Sequence, residues 1–339
     1  MTTLAVPNFA QLTLIFVASV VGCSGLIGLL RPFWRHYALA KPNLRSSHAA
    51  PTPQGGGIVV IVVVIVAMLV TMLMPSVYGN ALHLVLVIAA VILLAIVGAI
   101  DDVRIIEVVP RLLAQTIAVI IVVASLPTEL HVVSFLPWSI ERLLLVIGGV
   151  WFVNVVNFMD GIDWMTVAEV VPLTASLALF GLTGALPPNA TVVSLALCGA
   201  MIGFAPFNRP VARLFLGDVG SLPIGLLIGW LLTELAGRGH LIAAVLLPLY
   251  YLADTAITIL RRLVNGEQIT KAHRSHFYQR AMDGGLSVKQ IILSVFVVNI
   301  MLVGLAVITF AIASIALQFV TLAVGSALVG TLLNKFNRR

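Results

Sequence analysis

Two adjacent carboxylates, Asp101 and Asp102, directly follow the apolar segment 81–100. Like charges at the edge of hydrocarbon repel each other, so the pair requires a nearby cation or a shifted pKa. A metal-binding or phosphate-activating role explains both side chains. The alternative is a solvated helix end, although a carboxylate at a helix C-terminus opposes the helix dipole.

A second polar set lies at the end of the apolar segment 142–158. It comprises Asn154, Asn157, Asp160 and Asp163. Its members are three residues apart, and such residues share one face of a helix. If the helix continues through the whole set, two carboxamides and two carboxylates form one polar stripe. Gly161 is the residue that would end the helix and break the stripe.

Glycines mark two further loops. The run Gly55–Gly57 opens an apolar segment, and bare backbone amides at a helix start suit an anion. A flexible entry turn is the alternative reading of this run. Asp218 stands between Gly217 and Gly220 at the start of another apolar segment. This pattern predicts either a helix N-cap or the close approach of a ligand or metal.

The longest polar stretch, 261–289, contains His273, Arg274, His276 and Arg280. Histidines beside arginine favour contact with an anion, and a solvated basic loop is the alternative. A zinc site is not expected here, because no third ligand follows at the usual spacing and no cysteine is nearby.

These polar residues are exceptions in an apolar chain. Of the 339 residues, 60% are hydrophobic and 9% are charged, against about 25% charged in soluble proteins. Because about 20 apolar residues cross a bilayer as a helix, we predict an all-α polytopic integral membrane protein. We expect about 11 transmembrane helices in a single domain, 1–339. The predicted spans are 11–30, 55–74, 81–100, 112–127, 142–158, 167–186, 190–206, 219–236, 240–260, 290–312 and 313–333.

Lysine and arginine predict the orientation, because these residues concentrate in cytoplasmic loops. With a periplasmic N-terminus and a cytoplasmic C-terminus, all 19 except Arg142 and Arg238 fall inside. Most acidic residues fall on the same cytoplasmic side, where we place the active site. The net charge of +6 is then explained by membrane insertion and anionic lipid headgroups, and no nucleic-acid partner is expected.

Carboxylates, asparagines, arginines and histidines are thus predicted to converge on one membrane face. Phosphoryl transfer uses such a set, since metal-held carboxylates offset the charge of a diphosphate and cations stabilise the leaving phosphate. We expect one soluble phosphorylated substrate and one lipid phosphate arriving from the bilayer. A secondary transporter of a small anionic solute is the alternative, but it predicts a site near the midplane and internal repeats. A noncatalytic scaffold for polysaccharide assembly is a third reading.

Five motifs together resemble the polyprenyl-phosphate N-acetylhexosamine-1-phosphate transferases, the membrane glycosyltransferase family 4, over roughly residues 12 to 330. The motifs are the loop ending in Gly55–Gly57, the Asp101-Asp102 pair, and the segments Asn154–Asp163, Leu216–Ser221 and Arg274–Arg280. The last segment is most similar to the branch that initiates O-antigen and related surface polysaccharides. The translocase of peptidoglycan synthesis is a more distant match.

The resemblance implies transfer of a sugar 1-phosphate from a UDP-N-acetylhexosamine to undecaprenyl phosphate, with release of UMP. It also implies Mg²⁺ as cofactor and the bacterial inner membrane as location. It identifies Asp101 and Asp102 as the catalytic pair, and Asn157 and Asp218 as metal-site residues. The predicted substrate-binding residues are His48, Asn154, Asp160, Asp163, Arg274 and His276.

The chain departs from the family pattern at several positions. Relatives usually have aspartate near Ala40 and arginine near Gln54, and many have glycine at Trp164. Trp164 predicts an interface anchor or a ring that stacks on a base or sugar. Many relatives carry further histidines where Tyr278 and Gln279 stand, so GlcNAc, FucNAc and QuiNAc all stay open as the sugar. The oligomeric state is undecided, with a homodimer as one option.

Overall fold

The fold consists of helices with one two-residue strand pair. The computed structural model describes residues 8–34, 39–40, 52–73, 81–268, 273–312 and 314–338. In the first part of the chain lie α1 (Phe9–Leu29), α2 (Arg31–Trp34), β1 (Leu39–Ala40), β2 (Thr52–Pro53), α3 (Gly56–Met72), α4 (Ala81–Val103) and α5 (Val108–Ser125). The middle part holds α6 (Trp138–Met159), α7 (Met165–Leu182), α8 (Pro188–Asn208) and α9 (Asp218–Leu235). The last part holds α10 (Leu241–Leu246), α11 (Leu249–Val264), α12 (Phe277–Asp283), α13 (Val288–Ala311) and α14 (Ile315–Asn337).

Nine helical segments within the described ranges are long and apolar enough to cross a membrane. This confirms the predicted all-α polytopic class, whereas the count of eleven is not confirmed. The predicted span 55–74 is a shorter helix, Gly56–Met72. The predicted span 240–260 is divided, because α9 continues through a wide turn, Ala236–His240, into α10, and α11 begins separately at Leu249.

Helix α9 is the centre of the bundle. In the most apolar 18 residues of Asp218–Leu246, 89% of the residues are buried, against 22% in the corresponding part of α14. Helices α3, α4 and α6 pack directly on α9. Since lipid tails are as apolar as the side chains, helices in a membrane associate through close packing, which small residues permit.

Glycines bring α3 and α4 onto the start of α9. A Cβ at Gly57 would overlap the backbone of Gly220, and a Cβ at Gly98 would overlap the carbonyl of Asp218. The amides of Gly56 and Gly57 donate to the carbonyls of Phe215 and Leu216, both at 2.9 Å. The expectation that the Gly55–Gly57 amides are open to an anion is therefore wrong, because the loop before α9 occupies two of them.

Replacing Gly98 by alanine is expected to destabilise the protein by about 1–3 kcal/mol, the usual cost of overpacking. The added methyl group meets backbone atoms at Asp218, which cannot rotate away as a side chain would. Thermal unfolding of the purified protein in detergent measures the effect. Gly304→Ala is the matched control, because no atom lies within 4 Å of its Cβ position. Equal melting temperatures for the two variants would contradict the packing described for Gly98.

Candidate active site

Asp102 caps a helix to which it does not belong. It lies near the end of α4, and its Oδ1 accepts from the Asp218 amide at 2.8 Å. Its Oδ2 accepts from the Val219 amide at 3.2 Å. The first amides of α9 have no acceptor within their own helix, so the carboxylate satisfies them and complements the helix dipole. Gly217 makes room for it, with φ +76° and a Cβ position only 2.5 Å from Asp102 Oδ2.

This contact corrects one reading of the glycine-flanked aspartate. Asp218 is the first residue of α9, and the preceding N-cap position is Gly217, with no side-chain capping bond. The cap comes from Asp102 instead. Sequence spacing did not predict this, because 116 residues separate the carboxylate from the amide that it accepts.

Asp101 points to a different partner. Its Oδ1 accepts from the Ile106 amide at 2.6 Å, and its Oδ2 lies 3.0 Å from Nη1 of Arg111. The same Nη1 is 3.6 Å from Oδ2 of Asp218. Arg111 therefore supplies the cation that the paired carboxylates require. From the sequence, Arg111 is identified only as a basic residue of a cytoplasmic loop. It belongs to no recognisable motif, and its distance of ten residues from Asp101 does not predict a contact.

Asp218 joins four helices in one cluster. Nδ2 of Asn157, near the end of α6, donates to Asp218 Oδ1 at 2.8 Å and to Ser221 Oγ at 2.9 Å. Nη1 of Arg111 lies 3.0 Å from Oδ2 of Asp101 and 3.6 Å from Oδ2 of Asp218, and so links the two carboxylates. Because Arg111 comes from α5, the ends of α4, α5, α6 and α9 all contribute a polar side chain. We call Asp101, Asp102, Arg111, Asn157 and Asp218 the carboxylate cluster.

The predicted polar stripe does not continue as one helix face. Helix α6 ends at Met159, and Asp160 follows as its C-cap residue. Asn154 lies one turn deeper and exchanges hydrogen bonds with Gln115, at 2.6 and 3.4 Å. Asp163 is buried and accepts from the Ala212 amide at 2.9 Å. The four side chains of the stripe thus face different partners.

Asp160 lies directly after α6 and accepts a hydrogen bond from the hydroxyl of Thr166. It is half-buried, and desolvation raises its pKa to about 8. The neighbouring carboxylates of Asp218, Asp102 and Asp163 add to the rise, since like charges favour the neutral form. Asp160 therefore carries a proton near neutral pH.

Trp164 follows Asp163 in a left-handed conformation, with φ +62°. Its indole Nε1 donates to the carbonyl of Ala205 at 2.6 Å, and its amide donates to Oδ1 of Asn208 at 2.8 Å. These bonds tie the residue to the end of α8. The indole also lines an apolar cavity of about 440 Å³ with residues of α7 and α13.

His276 is positioned by a fully buried acid that lies in α11. Its Nδ1 is 2.9 Å from Oδ1 of Asp254, which also accepts from the Phe277 amide at 3.2 Å. The other ring nitrogen, Nε2, is buried and has no hydrogen-bond partner among the described residues. A histidine with one nitrogen held by a carboxylate presents the other to a ligand. Hydropathy places Asp254 inside a predicted transmembrane span, and nothing in the sequence predicts its contact with His276.

Tyr278 links the histidine segment to the end of α6. Its hydroxyl donates to the carbonyl of Phe158 at 3.1 Å and lies where a Cβ of Gly161 would be. Its ring stacks on His276, with 5.8 Å between centroids. Arg274 pairs with Asp283 at 3.0 Å. The structure therefore brings the two predicted segments together, while His48 lies outside the described residues.

The residues of the carboxylate cluster fit a magnesium ion whose remaining ligands are not protein atoms. Within the described ranges, no group of three histidine, cysteine, aspartate or glutamate side chains is arranged to hold a metal. Mg²⁺, however, is usually bound by one or two carboxylates together with substrate phosphates and water. Asp218 and Asp101 supply carboxylate oxygens on either side of Arg111, and neighbouring carboxylates favour a cation. Asn157 presents Nδ2 to this place, so it would hold the metal only with its amide turned to present Oδ1.

The fold and the cluster define a class, the polytopic membrane enzymes with an acidic site where several helices end. The model of glycosyl transferase family 4 matches residues 83–236, which contain the whole carboxylate cluster. Over this segment the chain is similar to the family, and the similarity supports a membrane-embedded transferase. Members of the family are generally dependent on a divalent metal.

Similar proteins extend the match beyond that segment. The probable undecaprenyl-phosphate N-acetylglucosaminyl 1-phosphate transferase of Bacillus subtilis is 25% identical, over 78% of this chain and 75% of its own length. The decaprenyl-phosphate N-acetylglucosaminephosphotransferase of Mycobacterium leprae is 26% identical, over 81% of this chain and 77% of its own length. A phospho-N-acetylmuramoyl-pentapeptide-transferase of Leuconostoc mesenteroides is 25% identical, over 64% of this chain and 72% of its own length.

Proposed function

We propose that this protein transfers N-acetylhexosamine 1-phosphate from a UDP-sugar to undecaprenyl phosphate and releases UMP. The observation that carries the proposal is the carboxylate cluster, in which three aspartates from two helices meet one arginine and one asparagine. Both substrates bear phosphate groups that repel each other. A site for this reaction therefore needs fixed cations and metal-holding carboxylates at the membrane face.

The reaction forms one phosphorus–oxygen bond and breaks another. An oxygen of the lipid phosphate attacks the sugar-linked phosphorus of the donor, and the oxygen that bridges the two donor phosphates leaves with UMP. In this proposal Asp101 lies nearest the lipid phosphate and acts as a general base that takes up its proton before the attack, with Arg111 offsetting the combined charge. Asp102 keeps the start of α9, and hence Asp218, in position through its two amide contacts.

Asp218 and Asn157 would hold the magnesium ion, which neutralises charge on the donor diphosphate when bound. The other predicted residues act on the donor. Asp160 is protonated near neutral pH, since its pKa is about 8, and can donate a hydrogen bond to it. His276 offers Nε2 to a phosphate or sugar oxygen. Asn154, Asp163, Arg274 and His48 complete the proposed donor site.

The sugar and pathway are part of the proposal. The names of the Bacillus and Mycobacterium relatives specify N-acetylglucosamine, which favours GlcNAc 1-phosphate over a muramoyl-pentapeptide group. The segment Arg274–Arg280 favours initiation of an O-antigen or related surface polysaccharide. Purified protein incubated with undecaprenyl phosphate and a panel of UDP-sugars, including FucNAc and QuiNAc, tests this directly. Mass analysis of the lipid product identifies the sugar, and product from the muramoyl donor alone would overturn the assignment.

We also propose that the whole chain, 1–339, is one transferase domain of the bacterial inner membrane. Its N-terminus is periplasmic and its C-terminus cytoplasmic, which places the carboxylate cluster on the side where UDP-sugars occur. The distribution of lysine and arginine supports this orientation. A peptide tag fused after Arg339 should be unreactive toward membrane-impermeant reagents in intact cells. Labelling of the tag from outside would reverse the orientation and separate the cluster from its donor.

A further inference from the structure

A basic cavity lies outside the carboxylate cluster, where α11 ends beside α12 and the last turn of α14. Its volume is about 250 Å³. The lining includes Thr258, Arg261, Arg262, Ser275, Arg280 and Asn337. None of these six side chains has a role in the transfer proposed above.

Two guanidinium groups converge in this cavity without a compensating charge. Nη1 of Arg280 and Nη1 of Arg261 both donate to Oδ1 of Asn337, at 2.7 and 3.2 Å. Glu267 at the rim pairs with Arg262 instead, at 3.1 Å. Within the part of the chain that the structure describes, no carboxylate forms an ion pair with Arg261 or Arg280. Two like charges held on one neutral oxygen repel each other, and an anion between them removes the repulsion.

The planar fork of a guanidinium matches the oxygens of a phosphate group. Arg261 is fixed by a second contact, because its guanidinium lies 4.5 Å from the ring centroid of Phe277. Ser275 adds a hydroxyl to the lining. The cavity thus has the charge and the donors of a phosphate site.

An exposed apolar face leads to the cavity. Ile257, Leu260, Arg261 and Val264 fall at positions i, i+3, i+4 and i+7 of α11 and share one side of the helix. The three apolar members are 37%, 60% and 79% exposed. Exposed apolar side chains of a membrane protein contact acyl chains, and an arginine at the end of such a face reaches the headgroup level. A soluble anion has no group that would cover this face, whereas a phospholipid has.

The cavity is at the same membrane face as the carboxylate cluster. Tyr278 of α12 contacts the carbonyl of Phe158 at the end of α6, one residue from Asn157. In the proposed orientation this face is cytoplasmic, where anionic lipids attract basic segments.

We propose that Arg261 and Arg280 bind the phosphate of an anionic phospholipid whose acyl chains lie along Ile257, Leu260 and Val264. Asn337 holds the two guanidinium groups together before the lipid arrives. The site is separate from the site of the acceptor lipid phosphate beside Asp101.

Binding of fluorescent phosphatidylglycerol to the full-length protein in detergent tests the proposal, with phosphatidylcholine of the same acyl chains as the neutral arm. The wild type should prefer phosphatidylglycerol. The double variant Arg261→Gln/Arg280→Gln should weaken its binding roughly 30-fold, the combined effect of two basic residues near a lipid surface. Arg338→Gln is the matched control and should keep the wild-type preference. Arg338 is exposed, and among the described residues its side chain bonds Asn334 of the preceding turn, at 3.2 Å.

Asn337→Asp provides a second variant that keeps both arginines. A carboxylate there would pair with the two guanidinium groups, so the melting temperature should hold or rise while the preference for phosphatidylglycerol is lost. An unchanged preference in both the double variant and Asn337→Asp would overturn the proposal. Displacement of the lipid by inorganic phosphate, at matched ionic strength and low millimolar concentration, would also overturn it, because the site would then serve a soluble anion.

Discussion

Asp218→Asn is expected to lower turnover by about 1000-fold, which corresponds to about 4 kcal/mol of transition-state stabilisation. The substitution removes the charge of the residue that contacts Asn157 and Arg111. The fold should persist, because Asn retains the size of the side chain and the cap of α9 comes from Asp102. Single-turnover release of UMP, at saturating UDP-sugar and lipid phosphate, measures the loss.

Glu107→Gln is the control for a charge lost on the same membrane face. Glu107 is exposed and makes no side-chain capping bond at the start of α5, so its replacement should leave turnover within about twofold of wild type, as surface changes usually do. If Asp218→Asn turns over near the wild-type rate at limiting Mg²⁺, Asp218 does not hold the metal.

The paired aspartates should respond differently, because their contacts differ. Asp102→Ala removes the cap of α9, which should cost about 1–2 kcal/mol of stability and at least ~100-fold in turnover as Asp218 shifts. Asp101→Asn should also lose at least ~100-fold in turnover, the lower end of general-base effects. Its melting temperature should fall less, because its carboxylate caps no helix. Thermal unfolding and UMP release, measured on both variants, separate the two roles.

Nucleotide binding, measured separately on these variants, makes the comparison decisive. If both variants bind UDP-sugar normally and turn over at the wild-type rate, neither aspartate is catalytic. If Asp102→Ala unfolds at the wild-type temperature, the capping contact does not stabilise α9.

Much of the fold was predictable from hydropathy, because each long apolar run must satisfy its backbone within a helix. The exceptions lie inside the protein, where a helix is interrupted or carries a charged residue. The wide turn Ala236–His240 continues α9 into α10, and α11 carries Asp254 at full burial. Hydropathy instead ends one span at residue 236 and joins residues 240–260 into the next, since it does not register which polar atoms find partners in space.

The candidate site was predictable in its composition and less so in its connections. The predicted topology put Asp101, Asp102, Asn157 and Asp218 at one membrane face, the family resemblance implied their roles, and the structure brings all four side chains together. Spacing did not predict that Asp102 would cap α9 or that Arg111 would bridge two carboxylates. Both contacts join helices distant in sequence, so only packing of the bundle determines them.

The most direct test of the central claim is the release of UMP by purified protein from UDP-GlcNAc, with and without undecaprenyl phosphate. We predict UMP and a lipid-diphosphate sugar in equal amounts, no UMP without the lipid, and loss of both products on chelation of Mg²⁺. A protein that releases no UMP with any UDP-N-acetylhexosamine, or that releases it at the same rate without lipid phosphate, would contradict the account.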